Sequence, residues 1–309
     1  MPARYLFRPM QELSARTGRT RTGLPVSLNV APPPDLEPFV ARFFVTIIDQ
    51  PDEQVVEDIL LNETALLRVL VRGDWDMWVP QRGWQRRAGA LLFGAQRRAM
   101  RVRARGPMAV AGFAIRPGGW FGLEVRDHRL LADRVDDLDG PWGASLVAAA
   151  ADIDDHGETI ARLVAACRAR VADLAGAADP VAAMFERIAR DDPTVHVCTV
   201  ADRLALTPRA LEHRIRRHFG HVPKLVLRRS RFLDMAAVMR GLAMPDEETL
   251  AGLRFYDASH LNREFRLFVD MTPAAFARAT TPLMTPGLEV RQQRKLQDAG
   301  APGPAPWLG

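Results

Sequence analysis

TPRALEHRIRRHFG, the stretch from Thr207 to Gly220, has the pattern of an amphipathic helix with a defined start and end. Thr207 is a preferred N-cap residue, Pro208 fits the first helical turn, and Gly220 suits the left-handed residue that ends a helix. Apolar residues recur every four positions and predict a buried stripe. This stripe consists of Leu211, Ile215 and Phe219. The polar stripe beside it consists of Arg209, Glu212, His213 and Arg216.

A second stretch about fifty residues later, Ala258 to Phe268, repeats the same design. Its predicted buried stripe is Leu261, Phe265 and Phe268, and its outward stripe is Ser259, Asn262, Arg263 and Arg266. A shorter predicted helix precedes each stretch, at residues 200–206 and near residues 246–250. A helix predicted over residues 223–239 joins the two units and would span ~25 Å at ~1.5 Å per residue. Successive major grooves repeat every ~34 Å, so the pattern predicts paired helix-turn-helix units that read DNA.

The outward stripes carry the side chains that recognise bases and phosphates. Arginine binds guanine through a two-pronged contact, asparagine binds adenine similarly, and arginine also binds phosphate without reading sequence. The base-reading candidates are Arg209, Glu212, His213, Ser259, His260, Asn262 and Arg263. The phosphate-binding candidates are Arg216, Arg217, Arg228, Arg229 and Arg266. For each, the alternative is an ordinary solvated helix face.

Residues 194–280 resemble the DNA-binding domain of the AraC/XylS family of bacterial transcription regulators. The residues that carry the resemblance are 201–211 (ADRLALTPRAL), Phe219-Gly220, 255–261 (FYDASHL), Arg263-Glu264-Phe265, Thr272-Pro273 and Phe276. By position, the resemblance assigns base reading to Arg209, Glu212 and His213, and to Ala258, Ser259, His260, Asn262 and Arg263. The chain departs from the family at Ile215, where an aromatic residue is usual. It departs again at Arg254, where a glycine commonly precedes the phenylalanine.

The N-terminal half consists of short apolar, β-branched runs separated by turn signals, for example residues 66–71, 75–79, 90–93 and 109–115. Such runs predict an antiparallel sheet or partial barrel. An exception is Phe39, Val40, Phe43 and Phe44, whose spacing is helix-like. Residues 32–143 also resemble, more loosely, the sensor-like domain of one subgroup of the AraC/XylS family, through residues 33–40, 113–119 and 138–143. This resemblance implies effector binding or dimerisation.

The predicted fold class is therefore α+β. A β-rich domain, cupin-like or a partial barrel, is followed by an all-α domain with two helix-turn-helix units joined by a long helix. We expect a flexible basic arm at residues 1–31, the β-rich sensor-like domain at 32–143, and a helical connector at 144–178 that is a candidate for dimerisation. The DNA-binding domain follows at 179–281, and a proline-rich disordered tail at 282–309.

Composition adds few constraints. The 309 residues carry a formal net charge of +5, which is compatible with a polyanionic partner, and contain two cysteines without metal-ligand spacing. No apolar run is long enough to suggest a membrane span, and no secretory signal is evident. We therefore expect a cytoplasmic bacterial protein, nucleoid-associated when bound, acting as a monomer or homodimer. Its expected partners are double-stranded DNA, a small-molecule effector and RNA polymerase.

An enzyme on the β-rich half is the competing class of function. A cupin-like metal enzyme needs several converging ligands, yet the first histidine, His128, lies beyond the predicted strands, and no P-loop, GxSxG or HExxH motif occurs. We therefore expect no enzymatic activity, no catalytic residue, no cofactor and no metal site. The candidates for an apolar effector pocket are Trp75, Trp78, Trp84 and Trp120. Their alternative is core packing, and a regulator that acts through protein partners without an effector remains a further alternative.

Overall fold

The N-terminal half of the protein is built from antiparallel strands. The computed structural model describes residues 15–19, 25–243, 247–253, 255 and 257–298. The strands are β1 (Ala15–Arg19), β2 (Pro25–Val30), β3 (Val40–Ile48), β4 (Val55–Leu60), β5 (Leu66–Val79), β6 (Gly83–Phe93), β7 (Met100–Ile115) and β8 (Val135–Asp137). They form one sheet in the order β1-β2-β3-β7-β5-β6-β8, and β4 also pairs with β7.

The central strand is β7, which is 16 residues long. Its second half pairs with β3, from Met108 opposite Ile48 to Ile115 opposite Val40, whereas its first half pairs with β4. One long strand therefore accommodates two shorter ones along the same edge. The other edge pairs with β5 throughout, and the predicted antiparallel sheet is confirmed.

A glycine allows the β5–β7 ladder to change register. The pairing shifts on both sides of Arg72, and Gly73 adopts a φ of +87° there. A Cβ at Gly73 would lie 2.5 Å from the carbonyl oxygen of Pro107, far inside contact distance. Only glycine relieves both constraints without moving the neighbouring strand.

Both faces of the sheet are buried at β3, and this burial produces a misleading pattern in the sequence. Phe43 faces a core shared with the connector helices, whereas its neighbour Phe44 faces a second core on the other side of the sheet. Consecutive apolar residues then imitate helical spacing, although Val40, Phe43 and Phe44 lie on the strand β3 and Phe39 lies in the turn before it. The helix-like interpretation of Phe39, Val40, Phe43 and Phe44 is therefore wrong.

Helices make up most of the rest of the described chain. They are α1 (Trp120–Leu123), α2 (Gly140–Ala150), α3 (His156–Leu174), α4 (Pro180–Asp191), α5 (Val197–Arg203), α6 (Pro208–Phe219), α7 (Pro223–Met239), α8 (Glu247–Gly252), α9 (Ala258–Val269), α10 (Pro273–Arg278) and α11 (Thr285–Asp298). The connector helix α3 buries its apolar stripe in the core on one face of the sheet. The predicted fold class, a β-rich half followed by paired helical units on either side of a long helix, is confirmed.

The expected arm at residues 1–31 is not an unstructured segment where the structure describes it. β2 pairs with β3 from Ser27 opposite Thr46 to Val30 opposite Phe43, and Val30 is buried. Backbone pairing with the edge of β3 orders this stretch, despite its weak hydrophobic pattern. Residues 1–14 and 20–24 of the expected arm lie outside the described residues.

The expected tail at residues 282–309 also differs from the structure. α11 begins at Thr285, and Met284 and Leu288 are buried in the core that α7 and α9 share. A few apolar residues at helical spacing are enough here because α7 and the sheet provide the surface that covers them. Residues 299–309 lie outside the described residues.

None of the helices in the described ranges has both the length and the apolar character needed to cross a bilayer.

Candidate nucleic-acid interface

The first candidate reading helix, α6, begins and ends at the residues its sequence predicts. The hydroxyl oxygen of Thr207 accepts a hydrogen bond from the N–H of Ala210 at 3.2 Å. Gly220 ends the helix with a φ of +74°, and its N–H donates to the carbonyl of Arg216. The buried face includes the three predicted residues Leu211, Ile215 and Phe219. Local capping and burial therefore fix which face of α6 points outward.

The outward face of α6 consists of exposed polar side chains. Arg209, Glu212 and His213 are all exposed, as predicted from the helical spacing. Arg216 lies 3.6 Å from Glu212 in a half-exposed ion pair one turn apart. Such a surface pair contributes only ~0.3–0.5 kcal/mol, so a DNA group can replace it at little cost.

The second candidate helix, α9, has the same construction. Asp257 caps it by accepting a hydrogen bond from the N–H of His260 at 2.5 Å, and Asp270 ends it in the left-handed region with a φ of 55°. The buried face includes Phe265, Phe268 and Val269. Arg254, in the turn before this helix, lies outside the described residues.

The outward face of α9 carries Ala258, Ser259, Asn262 and Arg263, all exposed. The amide nitrogen of Asn262 donates to the carbonyl of Ala258 at 2.9 Å, a local bond that a base edge can replace. At the N-terminal end of this face the side chains of Ala258 and Ser259 are small, which allows close approach to a groove. Polar side chains follow in the middle of the helix.

His260 differs from the other base-reading candidates of α9. Its side chain is 20% exposed, its ring lies 5.6 Å from that of Phe255, and its Nε2 atom is 3.7 Å from Glu264. The side chain is thus directed along the helix toward Glu264 rather than outward with Asn262 and Arg263.

Arg229 is not a phosphate-binding residue in this structure. It lies on α7 with no exposed surface, and its guanidinium donates at 2.5 Å to the carbonyl oxygens of both Gln96 and Glu63. Both acceptors belong to the β-rich half. Burial lowers the pKa of Arg229 to about 10, which leaves it charged at neutral pH. The expected phosphate contact is wrong because tertiary packing turns this residue into a clamp between the two halves.

Two further phosphate candidates have protein partners. Arg228 donates from Nε and Nη2 to Glu264, whose side chain is 1% exposed, and so ties α7 to α9. Arg217 lies 5.0 Å from the ring centroid of Phe121 and 3.7 Å from Asp127, against the β-rich half. Arg217 is nevertheless exposed, as are the remaining two candidates, Arg216 and Arg266.

Three buried histidines line the contact between the β-rich half and α6. The Nδ1 of His128 donates to the carbonyl of His218 at 2.8 Å, while its Nε2 accepts from the N–H of Ala95 at 3.2 Å. His221 donates to the carbonyl of Ala95 at 3.1 Å. Burial lowers the pKa of both His128 and His221 to about 4, so both are neutral at pH 7. This interface could not be predicted from the sequence, because no local pattern marks a histidine that meets a distant carbonyl.

The four tryptophans proposed as an effector pocket do not converge. Trp75 is buried and lines a cavity between the sheet and the helices. Trp78 and Trp84 pack edge to face on the β5–β6 hairpin, with Arg101 and Arg103 over their rings. Trp120 stacks on His128, with ring centroids 4.3 Å apart. The four-tryptophan pocket is wrong, since the strand register separates these positions.

A cavity with a volume of about 160 Å³ lies between the sheet, α4, α7 and the segment from Pro282 to Arg294. Apolar side chains from the sheet form much of its wall, and Arg42 and Arg68 also line it. In the sequence, each of these arginines interrupts an apolar strand run, which is the one local signal that could have identified them.

Comparison with known proteins gave structural similarity without detectable sequence similarity. No family model matches the chain, and no curated protein matches it. ToxT from Vibrio cholerae aligns with 76% of this chain and 96% of its own, at 9% identity and a TM-score of 0.44. Unsaturated fatty acid-bound ToxT aligns with 78% and 97%, at 10% identity and a TM-score of 0.43. The AraC-like transcriptional activator CuxR aligns with 68% and 86%, at 13% identity and a TM-score of 0.27. At these values no residue role passes from those proteins to this chain.

Proposed function

We propose that this protein is a sequence-specific, DNA-binding transcription regulator of the AraC/XylS type, in which α6 and α9 read two successive major-groove segments. The observation that carries the proposal is the repeated geometry. Both helices have 12 residues, both are capped by a side-chain oxygen, and both turn an exposed polar face outward. The resemblance of residues 194–280 to the DNA-binding domain of that family supports the same function.

The connection between the two helices suits this role. α7 has 17 residues and so spans ~25 Å, which is compatible with reading units ~34 Å apart once the flanking turns are included. The Arg228–Glu264 contact ties the linking helix to the second reading helix and so limits independent motion. One chain could therefore read one face of a duplex, either as a monomer or within a homodimer.

The base-reading set follows from exposure. In α6 it comprises Arg209, Glu212 and His213; in α9 it comprises Ala258, Ser259, Asn262 and Arg263. His260 acts there only if its side chain leaves Glu264. Arg216 and Arg266 are exposed and would contact phosphate, and the exposed Arg217 would do so only if its side chain leaves Asp127.

The cavity in the β-rich half favours control by a small effector over the effector-independent alternative. It is bounded both by the sheet and by α7, which joins the two reading units. A ligand there would touch both halves of the molecule. In a bacterial cytoplasm, such a regulator would alter the access of RNA polymerase to a promoter.

Selection of bound DNA from a random pool, followed by footprinting at several salt concentrations, tests the reading function. We expect an enriched motif with two blocks about one helical turn apart. Arg263→Ala should cost ~1–3 kcal/mol at one base position, whereas the matched variant Arg266→Ala should weaken all sequences and reduce the salt slope by about one. Absence of any sequence preference would refute the proposal. Equal weakening of all sequences by both variants would remove Arg263 from the reading set.

A further inference from the structure

The β-rich half holds both candidate reading helices at their C-terminal ends. The carbonyl oxygen of His218, the last residue but one of α6, accepts a hydrogen bond from the Nδ1 of His128 at 2.8 Å. The carbonyl oxygen of Phe268, the last residue but one of α9, accepts from the N–H of Ala99 at 2.6 Å. The last carbonyls of a helix have no partner inside the helix, so both bonds fill positions that the helices leave open. The same position in each reading helix is therefore fixed from the β-rich half.

The two donors are joined to each other within the β-rich half. Ala99 ends the loop of residues 94–99 between β6 and β7, and Ala95 of the same loop donates its N–H to the Nε2 of His128 at 3.2 Å. Because Nε2 accepts this bond, the proton of the neutral imidazole lies on Nδ1, where it can be donated to His218. We call residues 94–99 together with His128 the brace.

The brace also contacts the chain between the two reading helices. His221, in the turn after α6, donates to the carbonyl of Ala95 at 3.1 Å. Arg229, in the middle of α7, donates to the carbonyl of Gln96 at 2.5 Å. Residues 94–99 therefore hold the end of α6, the middle of α7 and the end of α9, and the loop uses its backbone groups in each of these contacts.

The loop of the brace is itself anchored on two sides. The N–H of Gln96 donates to the carbonyl of Asn62 at 3.0 Å, and the side-chain oxygen of Gln96 accepts from the N–H of Asn62 at 2.8 Å. On the other side, the carboxylate of Asp133 accepts from the N–H and the Nε of Arg97, both at 2.6 Å. A loop held by directional bonds on both sides keeps its shape, so it can position the helices that it contacts.

The two reading units have separate hydrophobic cores, which makes a support outside them necessary for a fixed arrangement. α7 contributes Val226 and Leu227 to the core around α6, whereas its Phe232 belongs to the core around α9. The units thus share α7, and a long helix on its own bends. Ile59 and Ala99 of the β-rich half pack in the second core, so apolar contact adds to the hydrogen bond at the end of α9.

We propose that the brace sets the distance and the rotation between α6 and α9, so that the β-rich half determines the spacing between the two DNA blocks that the protein reads. The inference rests on the proposed function, because it concerns the placement of the two readers of that regulator. Each added base pair moves one block by ~3.4 Å along the duplex and rotates it by ~35°. A rigid pair of readers therefore accepts one spacer length, whereas a pair joined by α7 alone accepts several.

Binding of the full chain to a spacer series tests the inference. The two blocks found by selection are placed on duplexes whose spacer is shortened or lengthened by one base pair, and fluorescence anisotropy gives the affinity for each duplex. For the unaltered protein we expect one base pair to weaken binding about 5–150-fold, the effect of losing one bidentate base contact. The ratio of affinities does not depend on the fraction of folded protein, so a variant that is merely destabilised keeps the same ratio.

His128→Phe removes one support of the brace. The variant keeps an aromatic ring beside Trp120 but lacks both hydrogen bonds of the imidazole. We expect the weakening caused by one base pair to fall below about threefold, because loosened readers adapt to each spacer at the cost of being ordered on binding. The matched control is His156→Phe, at the start of α3, which should keep the full ratio.

A glycine inserted between Arg97 and Arg98 provides a second test that leaves His128 in place. Both arginines are exposed, and exposed loop positions tolerate insertions. The insertion lengthens the loop and should relax or shift the preferred spacer. Its control is a glycine inserted between the exposed residues Gln81 and Arg82 in the β5–β6 turn, which should leave the preferred spacer unchanged.

The outcomes separate this inference from the proposed function. A two-block motif with the same one-base-pair ratio in His128→Phe, in the loop insertion and in the unaltered protein would overturn the inference and leave the reading function intact. If His128→Phe does not fold, the result for the loop insertion decides. Selection without any two-block motif would overturn the proposed function, and this role of the brace with it.

Discussion

Replacing the buried residue Arg229 by methionine tests whether its side chain binds phosphate or clamps α7 to the β-rich half. The sequence suggested a phosphate contact, whereas the structure buries Arg229 and directs two of its N–H groups at the carbonyls of Glu63 and Gln96. Arg229→Met preserves much of the side-chain volume and leaves both carbonyls without a donor. Each unsatisfied buried carbonyl costs ~1–3 kcal/mol. Removal of the buried charge offsets part of this cost, so we expect the free energy of unfolding to fall by about 2–4 kcal/mol.

Urea denaturation of the full chain measures this loss of stability. The salt dependence of DNA binding measures whether Arg229 contacts phosphate. The control is Arg266→Met, an exposed position on α9 that should change stability by less than ~0.5 kcal/mol. A phosphate contact at Arg229 would instead lower the salt slope by about one and leave stability unchanged. If Arg229→Met matched Arg266→Met in stability and flattened the salt dependence, the clamp would be refuted.

Three further predictions concern the helix ends and the interface. Thr207→Ala and Asp257→Ala should each lower the free energy of unfolding in urea by ~1 kcal/mol, and Ser at either position should restore most of it. Gly220→Ala should cost ~1–2 kcal/mol in the same assay, because a side chain is strained at a φ of +74°; an unchanged midpoint would exclude that strain. His128 and His221 have lowered pKa values, so they contribute stability that is present above pH ~6.5 and lost as pH falls toward about 4. Over this pH range, each histidine should increase the slope of the unfolding free energy against pH by up to ~1.4 kcal/mol per pH unit. An unaltered pH profile of stability in His221→Gln would contradict the buried neutral state of His221.

The contacts of Arg229 and of the histidines show that α6 and α7 do not form an independent module. His128 and Ala95 of the β-rich half meet His218 and His221 at the end of α6, while Arg229 fastens the middle of α7. These are buried, directional contacts rather than a mobile linker. A change in the β-rich half therefore has a short physical route to α6 and α7.

The ends and faces of α6 could be predicted because their causes are local. A hydroxyl at Thr207, a proline in the first turn and a glycine at the left-handed position specify the helix limits within about fourteen residues of sequence. Leu211 and Ile215, four residues apart, determine which side is buried wherever the helix packs. The outward position of Arg209 and Glu212 follows from the same periodicity.

The cavity could not be predicted in the same way. Its walls come from β2, β3, β4, β5, β7, α4, α6, α7 and α11, whose relative positions depend on strand register and on the packing of the two halves. Of the four large, apolar tryptophans that were candidates for a pocket, only Trp75 lines the cavity. Arg42 and Arg68, each within an apolar strand run, also line it.

Arg228 and Arg229 show most directly what the amino-acid sequence determined by itself and what the tertiary structure decided. The sequence predicted that both lie on a long helix between two amphipathic helices that are candidates for DNA reading, because helical periodicity and capping act over a few residues. Packing against distant elements decided that Arg228 would pair with Glu264 of α9 and that Arg229 would clamp the β-rich half. The partner of a side chain across the fold is not encoded in the spacing of its neighbours, and the same limit concealed β2, α11 and the arginine-lined cavity.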